Sequence, residues 1–365
     1  MKTVELAIVG AGPAGLCAAI SAASMGANVL VIDRSKRVGG QLIKQTHMFF
    51  GSEKQYASKR GIDIPNILLE ELKKYEDKGE IITDSTVLAI YEDKVMTILQ
   101  GDNYYKNKAK TIIVAAGASE RVLAFPNNDL PGIYGAGAVQ TLMNVYGVKP
   151  GDKVVMVGAG NIGLIVSYQM IQAGVEIVAV LDAAPTIGGY LVHASKLARL
   201  GVPILTGHSI KKAVGSEQLE KIIAWKLDEK WQGIEGSEID FDVDVACISV
   251  GLTPLSELLS QVGCEMKYVH ELGGVVPKVN QNLETSVENV YVAGDVSGIE
   301  EASSAMVEGY IAGLHVGKRL GYSHSEYSSL LNDYKNQLND LRSGHHGERI
   351  RNGINKILRG EDNVE

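Results

Sequence analysis

Positions Leu6 to Ile32 are 27 consecutive residues without a charge, and Val154 to Val175 form a second uncharged run. Length alone would suit a membrane-spanning helix. The internal pattern points elsewhere. The first run reads Leu6-Ala7-Ile8-Val9, then Gly10-x-Gly12-x-x-Gly15, then small residues at helical length, then Val29 to Ile32 closed by Asp33. The second reads Val154 to Val157, then Gly158-x-Gly160-x-x-Gly163, a helical stretch, then Val175 to Leu181 closed by Asp182. Gly10 to Asp33 spans 23 residues and Gly158 to Asp182 spans 24, so one strand–helix–strand unit occurs twice. In such a unit the first glycine permits the turn, the second lets a pyrophosphate approach the backbone, and the third brings helix and strand together. The acid at the end of the second strand accepts from ribose hydroxyls.

Three further strand-to-glycine turns complete the layout. Thr111 to Gly117 reads TIIVAAG, Val245 to Gly251 reads VACISVG, and Asn289 to Asp295 ends in Gly294-Asp295 before a helical run from Glu301 to Leu320. The pattern predicts an α/β fold of two Rossmann-like dinucleotide-binding domains, the second inserted in the first, with a helical C-terminal tail. The expected first domain comprises residues 1–126 and 273–321, the second 127–252, and 253–272 connects them. In the tail, 322–365, Tyr327, Leu330, Leu331, Tyr334, Leu338 and Leu341 recur at helical spacing. After Ser343-Gly344, Arg349, Arg351, Lys356 and Arg359 alternate with Ile350, Ile354, Ile357 and Leu358. This stretch reads either as a helix on its own domain or as a contact for a partner protein.

Composition narrows the chemistry. A net charge of −8 argues against non-specific nucleic-acid binding and against an anionic membrane surface. Cys17, Cys247 and Cys264 are far apart, with no CxxC and no ligand cluster. No disulfide scaffold, zinc site or iron–sulfur cluster is therefore expected on this chain, and a reduced, cytoplasmic setting is. His345-His346 lacks further ligands, so no metal is expected there either.

The duplicated fold, Ala115-Ala116-Gly117 and Ala293-Gly294-Asp295 resemble the two-dinucleotide-fold flavoproteins, the superfamily of thioredoxin and glutathione reductases. The resemblance implies FAD on the first fold and NAD(H), or another adenine nucleotide, on the second. Carried over residue by residue, Gly10, Gly12, Pro13, Ala14 and Gly15 line the FAD pyrophosphate and Asp33 takes the adenosine ribose, where Glu is commoner. Arg34, Gly40, Gln41, Val87, Ala116, Gly117, Gly294, Asp295, Glu301 and Ala302 complete the FAD set. Gly158, Gly160, Asn161, Ile162, Gly163 and Asp182 form the second set. Asp182 precedes Ala183-Ala184 with no Arg nearby, which favours NAD(H) over NADP(H). The redox-active cysteine pair of the disulfide reductases is missing, so dithiol reduction is not expected. A peroxidase working through Cys264 alone is a remote reading, given its place in a late loop.

Finer matches lie in Gly294 to Ala302, Leu130 to Ile133 and Gly137 to Gln140. They are similar to the α-type subunits of multi-subunit amine and amino-acid dehydrogenases: opine oxidase, hydrogen cyanide synthase, hydroxyproline or proline dehydrogenase, and heterotetrameric sarcosine oxidase. That resemblance implies an FAD-binding subunit relaying electrons between a substrate-oxidising partner flavoprotein and NAD or a ferredoxin-like acceptor. It also implies a small iron–sulfur protein as a partner, and leaves room for an additional FMN or iron–sulfur cluster on partner subunits. The alternative is a stand-alone NADH-dependent flavoprotein reductase without a redox-active disulfide. No substrate acid or base stands out; His47 is the weak candidate, in the Gln45 to Gly51 run after Gln41, and His193 suits a loop or helix start. Glu300 and Glu301 read as first-turn acids matched to a helix dipole.

Overall fold

The computed structural model describes residues 1–49 and 51–360, with the side chains of His345 and His346 outside the description. The chain forms two compact units. One comprises Met1–Ser119 and the chain from Thr253 onward; the other is Glu120–Leu252.

In the first unit, strand Lys2–Val9 lies between Val29–Ile32 and the long strand Asn103–Val114, parallel to both. Gly79–Ile82 extends the sheet on the side of Val29–Ile32, and Val290–Val292 pairs with the end of Asn103–Val114, again in parallel. Val95–Gln100 and Ser85–Ile90 add an antiparallel ribbon. A parallel sheet is covered on both faces, so its central strands carry unbroken apolar runs. Ile8, in register with Val31 and Ile113, is fully buried with both.

Helix Pro13–Met25 explains the rest of the uncharged run. Pro at its start suits a position whose N–H has no helical partner, and Gly26, at φ 105°, closes it by donating to Ala22 and Ala23 carbonyls. One side of this helix faces the sheet and another faces helix Ala302–Arg319, so nearly every residue is buried. The approach between the two helices is as close as backbones allow. A Cβ on Gly309 or Gly313 would overlap the carbonyl oxygens of Ala14 and Ala18, and one on Gly317 would press into Met25.

The second unit repeats the plan. Its five-stranded parallel sheet runs Ile204–Thr206, Glu176–Asp182, Lys153–Val157, Val245–Ile248, Ile133–Gly135. A three-stranded antiparallel sheet, His208–Val214, Lys221–Lys226 and Ile239–Asp242, accompanies it. The α/β class with two Rossmann-like sheets and a helical tail is therefore what the hydropathy pattern predicts.

Residues 253–272, expected as a connector, lie in the first unit, where helix Glu257–Gln261 and strand Met266–Val269 pack on the sheet. The tail also belongs to this unit. Helix Tyr327–Leu341 packs Leu331, Tyr334, Leu338 and Leu341 against the core around Pro13–Met25, and helix Gly344–Asn355 places Ile350 and Ile354 on the other core. The basic residues after it are tied to the same unit: Lys356 pairs with Glu271 at 2.5 Å and Arg349 donates to the His270 carbonyl. Among the described residues, no helix is long and apolar enough to cross a membrane.

Candidate functional site

Each unit builds a cradle at the glycine-rich turn. Gly10 (φ 108°) and Gly158 (φ 111°) hold left-handed conformations that favour glycine. A Cβ on either would strike the carbonyl of a neighbouring strand end, Ala115 or Ser249. Gly15 and Gly163 lie so close to the carbonyls of Gly10 and Gly158 that no side chain fits. Gly12 and Gly160 are the N-caps of their helices, both extended, and neither helix has a side-chain cap or an acid in its first turn. The first-turn N–H groups are thus left for an anion, and the helix dipole favours one.

The closing acids adopt one geometry twice. Asp33 accepts from Ala11 N–H at 2.6 Å and Ser35 N–H at 2.7 Å; Asp182 accepts from Ala159 N–H at 2.6 Å and Ala184 N–H at 2.8 Å. Each carboxylate uses one lone pair per oxygen in this way and retains acceptor capacity for vicinal hydroxyls. A second glycine pair folds over each helix start. Gly39 donates to the Ala11 carbonyl and Gly189 to the Ala159 carbonyl, both at 2.8 Å. A Cβ on Gly40 would fall 2.8 Å from Gly12 Cα. These close backbone approaches leave no side chain over either helix start, with nothing within 4 Å of a Cβ placed on Gly160 and only Gly40 Cα, at 3.8 Å, near one on Gly12, and the residues present fit a dinucleotide in each unit.

Beyond these shared parts the units differ. In the second, Asn161 opens the helix and its Oδ1 accepts from Tyr190 N–H at 2.8 Å, while Ile162 is exposed beside it. In the first, the Gly294–Asp295 turn comes to the helix start: Gly294 has φ 79°, and a Cβ there would sit 2.9 Å from Ala14 Cβ. Asp295 receives one long hydrogen bond, from Glu300 N–H at 3.4 Å. Burial, with Glu308 and Glu300 adding like charge, pushes its carboxyl up to about 7 against the pull of that amide. A half-buried carboxyl so poorly satisfied by protein suits the hydroxyls of a bound polyol chain.

The remaining expected residues fall in different places. Gln41 and Arg34 are exposed near the cradle, and Ala116 and Gly117 follow the sheet's longest strand. Glu301 is the N-cap of helix Ala302–Arg319, and Ala302 packs on the core. The Val87 side chain is buried in the core beneath the sheet, which leaves only its backbone to meet a ligand. His47 stacks on Phe49 with centroids 5.8 Å apart, and its carbonyl accepts from Gly61 N–H. His193 lies on helix Leu191–Arg199 beside Tyr190, its imidazole pushed down by burial and by Lys196. The expectations on Phe50, in the His47 run, and on the His345 and His346 side chains lie outside the described residues.

One expectation changes. Neither Glu300 nor Glu301 lies in the first turn of the helix: Glu301 is its N-cap, and Glu300 precedes the cap and pairs with Arg342 at 2.5 Å. The thiols are all buried, and burial pushes each up, Cys17 to about 12. Cys264 donates to Thr285 Oγ1 at 3.2 Å, which leaves no thiolate for peroxide chemistry. Sequence reading missed Glu308, which is buried, accepts from Gly294 N–H at 2.7 Å and pairs with Arg342. The available signal was a lone carboxylate amid small residues in a helix that is otherwise apolar on its inner side.

Comparison with known proteins agrees with this geometry. A family model described as pyridine nucleotide-disulphide oxidoreductase matches residues 4–309. An opine oxidase subunit of Agrobacterium tumefaciens (strain Ach5) is 26% identical over 85% of this chain and 64% of its own length. The alpha subunit of sarcosine oxidase from Corynebacterium sp. (strain P-1) is 27% identical over 87% of this chain and 33% of its own. The chain thus spans less than two thirds of either. L-proline dehydrogenase from P. horikoshii shares the fold over 93% of this chain and 59% of that one, with TM-score 0.69 and 22% identity. T. acidophilum thioredoxin reductase does so over 87% and 99%, with TM-score 0.71 and 22% identity.

Proposed function

The chain belongs to the pyridine nucleotide-disulphide oxidoreductase family of FAD-dependent oxidoreductases, and on that premise we propose that it is an electron-relay subunit. In this reading it binds FAD in the first unit and NAD(H), or another adenine nucleotide, in the second. It passes electrons between a partner flavoprotein that oxidises an amine or amino acid and NAD or a ferredoxin-like acceptor. The observation that carries the reading is two equivalent glycine–acid cradles in one chain whose three thiols are all buried. The names of its relatives, subunits of opine and sarcosine oxidases, supply the class of partner.

When bound, a flavin supplies reversible one- and two-electron transfer. The protein's part is to bind and orient. The N–H groups at Ala14 and Gly15 would hold the pyrophosphate, Asp33 the adenosine ribose, and Asp295 the polyol, with Gly39-Gly40 beside the phosphates. The start of helix Ala302–Arg319 brings a positive dipole end to the Gly294–Asp295 turn. In the second unit Asp182, followed by two alanines, accepts from a 2′-hydroxyl and offers no cation to a 2′-phosphate. A small iron–sulfur partner, and any FMN, would reside on other subunits.

Anaerobic titration of the purified chain with NADH tests this. The expected result is stoichiometric bound flavin, with NADH binding but little bleaching until a partner is added. Rapid bleaching by NADH would select NAD over the ferredoxin-like acceptor, steady turnover of NADH with a small acceptor and no partner would favour a self-sufficient reductase, and absence of bound flavin would overturn the first-unit assignment.

A further inference from the structure

Glu308 sits in the wall of the first cradle, 5% exposed, with its carboxylate shared between two duties. One oxygen accepts from Gly294 N–H at 2.7 Å and from Ser297 Oγ at 3.2 Å; the other is 2.5 Å from the Arg342 guanidinium. Arg342 also grips Glu300 through Nε and Nη2, at 3.1 and 2.5 Å to the same oxygen. Glu300 in turn offers its amide to Asp295. One arginine, its side chain 12% exposed, therefore balances the carboxylates that shape the Gly294–Asp295 turn. It stands at the C-cap of tail helix Tyr327–Leu341. Elsewhere the same helix reaches the segment that follows Gly40–Lys44: Asp333 pairs with Lys54 at 2.8 Å and Gln337 accepts from Gln55 at 2.5 Å.

We propose that Arg342 is a positioning residue for the cofactor, fixing the Gly294–Asp295 turn through Glu308 and Glu300, so that FAD affinity depends on the docked tail. This rests on reading the first unit as the FAD site. A buried carboxylate stripped of its cation must either take up a proton or move toward water. Movement toward water releases the Gly294 amide from its fixed direction, whereas a proton on the oxygen that faced Arg342 leaves the other oxygen in place to accept from it. The charged groups facing one another here are Asp295, Glu300, Glu308 and Arg342.

The test uses the full chain, stripped of flavin and titrated with FAD by fluorescence quenching. Arg342→Met is expected to weaken FAD binding about tenfold or more near neutral pH, as removal of one partner of a buried charge pair does. The loss should shrink in mildly acidic buffer, where protons replace the missing cation. Arg342→Lys should keep most of the affinity, and Glu300→Gln, which leaves Glu308 paired, should lose less than Arg342→Met. Wild-type affinity in Arg342→Met, or an equal, pH-independent loss in Arg342→Met and Arg342→Lys, would overturn the proposal. If circular dichroism shows Arg342→Met unfolded, the Lys and Glu300→Gln variants decide by the same criteria. A wild-type chain that takes up no FAD would instead overturn the first-unit reading.

Discussion

The two cradles are near copies in their glycines and their closing acids, and unlike in everything built beside them. Asp33 and Asp182 each accept from the same two backbone positions of their units, within 0.1 Å of one another. Only the first unit adds a glycine–aspartate turn, a buried glutamate behind it and a tail arginine behind that. The second closes its helix start with Asn161 and Tyr190 and exposes Ile162. In the proposed reading the glycine–acid frame receives an adenine dinucleotide in either unit, and the added charged layer is what sets the first unit apart.

The comparison breaks most sharply at the third glycine. Gly15→Val should abolish flavin retention and destabilise the first unit by about 3 kcal/mol, the upper range for overpacking, as read by flavin content and thermal unfolding. Gly163→Val should leave flavin content unchanged and remove nucleotide binding by the second unit, measured calorimetrically with NADH. Arg342→Met comes next. Breaking a buried pair costs about 3 kcal/mol, and urea unfolding should register that loss in the first unit alone.

Asp182→Asn sharpens the symmetry. Loss of charge-assisted bonds of about 1.5 kcal/mol should weaken NADH binding roughly tenfold without altering the flavin spectrum. The smallest effect concerns Asp295, whose folded value near 7 exceeds its ordinary 3.8. The unfolded chain ionises first, so flavin-free stability should fall as pH rises from about 4 to 7 and then level off. Asp295→Asn should remove that component of the slope.

What the sequence discloses follows from locality. The turns at Gly10 and Gly158 and their acids lie within one strand–helix–strand unit, so spacing alone reveals both frames. Val87 carries no such signature: its side chain belongs to the core and only its backbone is left for a ligand. The Arg342 layer is illegible for a different reason. Its partners lie 34 and 42 residues upstream on separate elements, and no periodicity links them. The amphipathic tail showed that it would bury one face, but not against what. Composition could not distinguish its own unit from another protein.

The meshing of Gly309, Gly313 and Gly317 with helix Pro13–Met25 has a consequence for biosynthesis. The first apolar helix emerges early from the ribosome, yet its partner follows only after the entire second unit has been translated. Contacts of such sequence separation are slow to form, whereas Glu120–Leu252 is continuous and can fold as it emerges. A nascent chain halted before Ala302 would therefore carry a finished second unit and an uncovered apolar helix, the kind of surface that chaperones capture. For this protein the vulnerable interval is set by the insertion itself, and it ends when the glycine-bearing helix arrives.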